Sequence, residues 1–303
     1  CQMTLDAAAE VLSWIEKADL FDDVKTIAAD LTIEEGLPGA VLAINKKAKA
    51  LIELIPPEVT EAYLDAVEKE STGTDCSDLS VVYTPLNGTG NIPVREILDR
   101  IGIKRVSIVK EQEQPDGSFP TCPYPNPEKK EALALGLALC QKLSGEGNAP
   151  DLLLATDPDC DRVGIAVRHR DIVSGKDDFI LMTGNETGIL LLDYICQVRK
   201  EAGHDGEPAA RDGRTWNNVK PMPKDPIAIK TIVTSKMAEK VARNYGVKIM
   251  NVLTGFKFIG EQIGVLEAKG EEDRYIFGFE ESYGYLSGAY VRDKDAVNAS
   301  MLI

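Results

Sequence analysis

Histidine is almost absent from this chain. There are two in 303 residues, His169 and His204, and the six cysteines (Cys1, Cys76, Cys122, Cys140, Cys160, Cys196) contain no C-x-x-C pair. Both shortages argue against a zinc site. Scattered thiols in a chain of this length fit a reducing compartment, so a cytoplasmic location is expected. Long apolar runs are missing as well, and none approaches a membrane span. Positive charge is short: 34 Lys and Arg stand against 49 Asp and Glu, a formal net charge of -15. That balance argues against nucleic acid or an anionic membrane as a partner. An anionic substrate would have to be met by a local basic cluster working against the global field.

What is present is the composition of a globular enzyme, with 44% hydrophobic and 27% charged residues. The length suffices for two ordinary domains. The chain opens with Cys1 and stops at Ser300-Met301-Leu302-Ile303 inside an apolar, helix-like run. Both ends read as cut, and a fragment of a longer protein is expected.

Residues 1–75 read as helical. Ala8 to Ile15 and Ala48 to Leu54 favour helix, and after Pro56-Pro57 the stretch Glu58 to Glu70 carries Val59, Ala62, Tyr63, Ala66 and Val67 at helical spacing. No sheet-forming run is apparent there. From residue 76 strands and helices alternate: strand Leu79 to Tyr83, helix Pro93 to Ile101, strand Arg105 to Val109, a Pro-rich loop from Gln114 to Pro127, helix Glu128 to Leu143, and helix Thr183 to Arg199. Residues 202–225 hold Gly, Pro and charge and read as a linker or surface excursion. The alternation then restarts: strand Ile227 to Val233, helix Ser235 to Tyr245, strand Val247 to Val252, helix Phe256 to Glu267, strand Tyr275 to Phe279, and a last helix from Asp293. The expected fold is α/β: two consecutive three-layer units with mixed sheets (76–201 and 226–303), the second loosely repeating the first in element order, preceded by a helical segment.

Between two apolar runs lies Asp157-Pro158-Asp159-Cys160-Asp161-Arg162. The flanks read as buried strands, so the acids sit on a tight loop at a sheet edge. Alternate residues on an extended backbone point the same way, so Asp157, Asp159 and Asp161 converge. Three anions that close repel one another unless a cation sits between them. A hard divalent ion such as Mg²⁺ suits an all-oxygen donor set, and the Arg162 fork suits a phosphate. A plain acid-rich turn is the bland alternative. An EF-hand fails, because its required Gly and Glu positions hold Arg162 and Arg168. A haloacid-dehalogenase-like phosphatase, with Asp157 as nucleophile and Asp159 as acid, stands as an alternative. So does a non-catalytic sugar-phosphate-binding module.

Three more loops could carry chemistry. Gly278-Phe279-Glu280-Glu281-Ser282-Tyr283-Gly284 follows a strand, and carboxylate and hydroxyl groups at i and i+2 suit vicinal sugar hydroxyls. Thr254-Gly255-Phe256-Lys257 opens a helix, where backbone N–H groups and a lysine favour an anion. Arg292-Asp293-Lys294-Asp295 is a mixed charge cluster. Taken singly these also read as a polar turn, an ordinary cap and a solvated surface.

In this order the loops resemble the α-D-phosphohexomutase superfamily, nearest the phosphoglucomutase and phosphopentomutase branch. The carrying residues are Thr84-Pro85-Leu86-Asn87-Gly88-Thr89-Gly90, the Phe119-Pro120 to Pro127-Glu128 loop, Thr156 to Arg162, Leu181 to Glu186, Thr254 to Lys257, and Glu280-Glu281-Ser282. They span residues from about 76 to 303. The resemblance implies that residues 1–75 end a first domain, that 76–201 correspond to the metal-binding second domain and 226–303 to the sugar-binding third. It implies transfer of a phosphoryl group between the C1 and C6 (or C5) hydroxyls of a sugar phosphate, through a phosphoserine and a bisphosphate intermediate. Asp157, Asp159 and Asp161 would hold Mg²⁺, Arg162 would contact phosphate, Glu280 and Ser282 would grip the sugar, Thr254, Gly255 and Lys257 would line its site, and Lys294 would lie near the reacting oxygen. The family's Ser-His-Asn-Pro nucleophile loop is not in this sequence, since neither Arg168-His169-Arg170 nor Gly203-His204-Asp205 fits it. The phosphate clamp of a fourth domain is also expected elsewhere. The chain by itself is therefore expected to be inactive.

Overall fold

A computed structural model describes residues 3, 5–19, 21–23, 32–34, 41–43, 55–171, 175, 177–205, 207–208 and 219–303. It divides into two compact units, residues 3–63 and 64–303. In the first, α1 (Leu5–Ile15) contains the expected Ala8 to Ile15 helix, while Ala48 to Leu54 lies outside the described residues. β1 (Thr32–Glu34) and β2 (Val41–Ala43) pair antiparallel, which corrects the expectation that this segment has no strands. Three residues are too few to show a period of two in sequence. α2 (Pro57–Glu68) begins at the Pro56-Pro57 break, since proline suits a first turn whose N–H groups have no partner anyway. Its last residues, from Leu64 on, belong to the larger unit, and Leu64 and Val67 are buried.

That unit holds two mixed sheets in sequence. The first is built from β3 (Ser80–Thr84), α3 (Asn91–Arg100), β4 (Arg105–Ile108), α4 (Ala134–Gly145), β5 (Leu152–Thr156), β6 (Val163–Arg170) and β7 (Asp177–Met182). Its order is β4-β3-β5-β6-β7, with β3 parallel to β4 and β5, and β6 antiparallel to both neighbours. α5 (Gly184–Ala202) and a small hairpin, β8 (Gly203–His204) with β9 (Glu207–Pro208), lead onward. The second sheet comes from β10 (Ile227–Thr231), α6 (Met237–Asn244), β11 (Lys248–Val252), α7 (Phe256–Glu267), β12 (Tyr275–Glu280) and β13 (Gly284–Leu286), closed by α8 (Ala296–Leu302). Its order is β11-β10-β12-β13, with β10 parallel to β11 and β12, and β13 antiparallel.

The central strands are apolar because their residues are buried against helices. Val82, Leu153, Ala155, Ala166 and Phe179 pack with Leu133 and Cys140 beneath α4. Ile227, Ile229, Tyr275 and Leu286 pack against Phe256, Ile259, Ile263 and Leu266 of α7. α4 starts later than expected, because the chain after Pro127 makes turns before it becomes regular at Ala134. α8 likewise begins at Ala296 and not at Asp293. Asp295 is its N-cap and accepts from the N–H groups of Val297 (2.8 Å) and Asn298 (3.1 Å). α5 carries a capping box, in which Thr183 and Glu186 each satisfy the other's backbone N–H.

Two details tie the sheets together. Gly188 of α5 faces β12 so closely that a Cβ there would land on the Phe279 ring. Glu70, just past α2, is buried with its carboxylate on Arg199 of α5 (3.0 Å), Lys220, and Ser287 beyond β13 (3.1 Å). Burial pushes the Arg199 guanidinium down from its usual value, and the charge of Glu70 acts against that. Substituting Gly188→Ala forces either the Phe279 ring or α5 to move. It is expected to destabilise the fold by about 1–3 kcal/mol, as over-packing does, which chemical denaturation monitored by circular dichroism would measure.

Candidate active site

The acidic loop is the hairpin connection between β5 and β6, which pair up to Thr156 opposite Val163. Asp157 is 1% exposed. Its Oδ1 accepts from the backbone N–H groups of Asp161 (3.0 Å) and Arg162 (2.9 Å), and its Oδ2 from Arg162 Nε (2.6 Å). Asp157 therefore organises the loop as well as facing into it. Cys160 takes the left-handed conformation (φ 59°) that lets the backbone turn back. The Gly-rich turn after β3 braces the loop from outside. Thr89 donates from its backbone N–H (2.8 Å) and its hydroxyl (3.1 Å) to the Pro158 carbonyl. A Cβ at Gly88 would fall on the Pro158 backbone, so the approach requires glycine.

Asp157, Asp159 and Asp161 each bring a carboxylate oxygen to within 4.8 Å of the others. Their repulsion is countered from two sides. Arg162 reaches Asp157, lies 3.6 Å from Asp161 and donates to Glu128 at 3.2 Å. Lys294 Nζ lies 2.5 Å from Asp161 Oδ2 and 3.4 Å from Asp293. Burial nonetheless pushes the Asp161 carboxyl up to about 6, with Asp157 and Asp159 adding to the shift and Lys294 opposing it. Burial works to lower both Arg162 and Lys294. The carboxylates around them prevail and hold both cations above their usual values.

The second loop joins β12 to β13. Glu280 is 5% exposed, and burial raises its carboxyl while Lys294 pulls it down. A Cβ on Gly284 would meet the Lys294 Cδ (2.5 Å) and the Glu280 Cγ (3.3 Å), so the lysine stem runs past both. Glu281 turns away, and its carboxylate accepts from the Thr231 (2.9 Å) and Thr234 (3.1 Å) hydroxyls. The two hairpin loops touch directly. Val163 N–H donates to the Tyr283 carbonyl (3.2 Å), Arg162 and Gly284 form an antiparallel bridge, and Ala296 N–H donates to the Cys160 carbonyl (3.1 Å).

Of the residues singled out from sequence, Asp157, Asp159, Asp161, Arg162, Lys294 and Glu280 meet in one place, with Ser282 on the same turn. Thr254, Gly255 and Lys257 stand at the carboxyl end of β11. That strand is separated from β12 by β10, and the Lys257 Nζ lies 5.2 Å above the Phe258 ring. All three strands are parallel, so these residues share the sheet edge that carries Glu280. Sequence reasoning did not single out Glu128 as a partner for Arg162, or Thr231 and Thr234 as partners for Glu281. Only the position of Glu128 just after the Pro-rich loop hinted at the first.

Residues 61–171 match the family described as phosphoglucomutase/phosphomannomutase alpha/beta/alpha domain II, and residues 183–303 match its domain III. The chain belongs to the α-D-phosphohexomutase superfamily. A phosphoglucomutase of Staphylococcus saprophyticus is 34% identical over 284 residues, covering 94% of this chain and 45% of that protein. A phosphoglucomutase of Staphylococcus aureus is 33% identical over 287 residues, with 94% and 46% covered. The chain thus spans about half the length of the curated relatives it matches. Among solved structures, a phosphoglucomutase/phosphomannomutase family protein from Burkholderia thailandensis shares the fold, with a TM-score of 0.56, 15% identity, and 80% of this chain against 42% of that one. Among the described residues, no helix is long and apolar enough to cross a membrane.

One side chain in the loop, the Cys160 thiol, is held in its protonated form by its surroundings. Burial pushes the Cys160 thiol far above its ordinary value, and Asp295, Asp157 and Asp159 add to the shift. It should resist a thiol reagent such as dithiobis(nitrobenzoate) in the folded chain at pH 8 and react at once in urea, with labelled peptides identified by mass spectrometry.

Proposed function

We propose that this chain forms the metal- and sugar-binding half of a Mg²⁺-dependent phosphosugar mutase. The observation that carries the reading is Lys294, whose side chain passes along Glu280 and ends on Asp161, so that one cation joins the acidic loop to the Glu-Glu-Ser loop. A sugar phosphate held by Glu280 and Ser282 would have its phosphate facing Arg162 and the acidic cluster. Residues 61–171 then make up a metal-binding domain and 183–303 a sugar-binding domain, in place of the expected 76–201 and 226–303, with the residues before 61 belonging to a preceding domain.

The donor set fits a hard cation: three carboxylate oxygens on a loop buried at one end and open at Asp159. Asp157, Asp159 and Asp161 would hold Mg²⁺, which when bound neutralises charge on the transferring phosphoryl group. The chain's own residues do the rest. Arg162 is tethered by Asp157 and Glu128, so its guanidinium is pre-aimed at a phosphate. Lys294 is held protonated by Asp161 and can stabilise the oxygen that gains or loses the phosphoryl group. Glu280 and Ser282 orient the sugar hydroxyls. Thr254, Gly255 and Lys257 line the far side of the same edge. The phosphoserine that donates to the sugar, passing through a bisphosphate, comes from a Ser-His-Asn-Pro type loop that this sequence does not contain. Family members act on glucose, mannose or pentose phosphates, and the Glu-Glu-Ser turn suits any of these.

Two measurements test the reading. Calorimetric titration with Mg²⁺ or Mn²⁺ should show binding that Asp159→Asn or Asp161→Asn weakens by about tenfold or more, since each removes an ionised ligand. Binding unchanged in both variants would overturn the metal assignment. Glucose 1-phosphate with its 1,6-bisphosphate should yield no glucose 6-phosphate with this chain alone. A polypeptide that joins the chain to a phosphoserine domain should turn it over, and Lys294→Met should slow that turnover by roughly 10²-fold or more. Turnover by the isolated chain would refute the shared-site mechanism.

A further inference from the structure

We infer that Lys230, Thr231 and Thr234 are positioning residues that preset the Glu280-Glu281-Ser282 turn for sugar recognition, an inference that rests on the sugar-binding reading above. Lys230 lies on β10, the strand beside β12, and is 1% exposed. A buried lysine is costly unless its nitrogen is satisfied. Here Nζ donates to the carbonyls of Thr234 (3.1 Å) and Thr231 (3.4 Å) and lies 3.6 Å from Glu239. It therefore staples both ends of the turn that follows β10.

The same two threonines, themselves buried, point their hydroxyls at one another (2.7 Å) and at the Glu281 carboxylate. The turn is fixed once more where Ser235 N–H donates to Asn185 of α5 (2.8 Å). Hydrophobic burial is not what holds it. Its two apolar residues, Ile232 and Val233, are each 57% exposed. The polar ties therefore set its shape, and satisfied polar networks fix one geometry where apolar packing would accept several. From the opposite side, the Glu281 backbone carbonyl sits where a Cβ of Gly184 would be.

Glu281 is thus gripped by its side chain and its backbone, and its neighbours Glu280 and Ser282 are left with one orientation. A recognition group held loosely by even 1 Å loses much of its value. Lys230, Thr231 and Thr234 are buried behind the turn. They act through Glu281.

The experiment titrates the chain with three probes: α-D-glucose 1-phosphate, inorganic phosphate and Mn²⁺. The double variant Thr231→Val with Thr234→Val keeps the β-branched shape and removes both donors to Glu281. It should weaken glucose 1-phosphate binding about tenfold, the cost of losing hydrogen bonds to a charged group, and leave Mn²⁺ affinity unchanged. The double variant Thr231→Ser with Thr234→Ser, which keeps the hydroxyls, should bind like the parent. Lys230→Met should follow the valine pattern. Glu280→Gln is the direct-contact control. If Glu280→Gln weakens sugar binding while the valine variant does not, the positioning inference is wrong and the sugar reading stands. If the valine variant loses Mn²⁺ binding too, its role is general folding and the inference is overturned. If the parent chain binds glucose 1-phosphate no better than inorganic phosphate, or Glu280→Gln changes nothing, the sugar reading itself fails and this inference falls with it.

Discussion

Three carboxylate oxygens within 4.8 Å of one another repel strongly in a half-buried loop, where water screens them poorly. The arrangement around them answers that repulsion. Asp157 is tied down by two backbone N–H groups and Arg162, Asp161 is met by Lys294, and Asp159 faces solvent. Because Lys294 belongs to the second sheet's half of the unit, the charge balance of the first sheet's loop cannot be completed locally. The two halves are joined by electrostatic need as much as by packing.

The topology explains how that junction arises. Each sheet is laid down as strand, helix, strand, helix, strand, then a short loop and an antiparallel strand: β3-α3-β4-α4-β5 to β6, and β10-α6-β11-α7-β12 to β13. In both, the third parallel strand ends in a hairpin loop, and in both that loop carries the acids. Asp157 to Arg162 and Glu280 to Tyr283 are thus equivalent positions of one plan used twice. The plan brings them together through the Arg162 to Gly284 bridge. Ligand-binding loops at the carboxyl ends of parallel strands are a general property of α/β sheets. Here two such ends meet, joined by backbone hydrogen bonds between their loops.

Much of this was legible in sequence because it depends on local pattern. The apolar runs around Asp157 to Arg162 marked buried strands, Thr183 with Glu186 marked the start of α5, and Tyr275 to Phe279 marked β12. β7 and β13 were not legible. Asp177–Met182 shows no clean alternation, and Gly284–Leu286 is three residues long. The three acids were legible as a cluster, but they converge because the loop turns back at Cys160 onto Asp157, and not because an extended backbone aligns alternate residues. The partnership of Lys294 with Asp161, and of Glu281 with Thr231 and Thr234, was not legible. These residues are distant in sequence, and each alone is an ordinary surface charge or turn hydroxyl. Composition also misdirects here. A net charge of -15 conceals a loop cluster where Arg162 and Lys294 bring two cations among the acids.

Glu70 carries a separate consequence. It stands before the first strand of the first sheet, yet its carboxylate is held by Arg199, Lys220 and Ser287, the last of these just past the final strand of the second sheet. A buried carboxylate deprived of such partners costs about 3–5 kcal/mol. A cut through the connection between the sheets, convenient on paper, would strand that charge on one side and its partners on the other. The chain from residue 64 onward is therefore a single inheritable block. A recombination that exchanged one sheet alone would have to bring its own solution for Glu70.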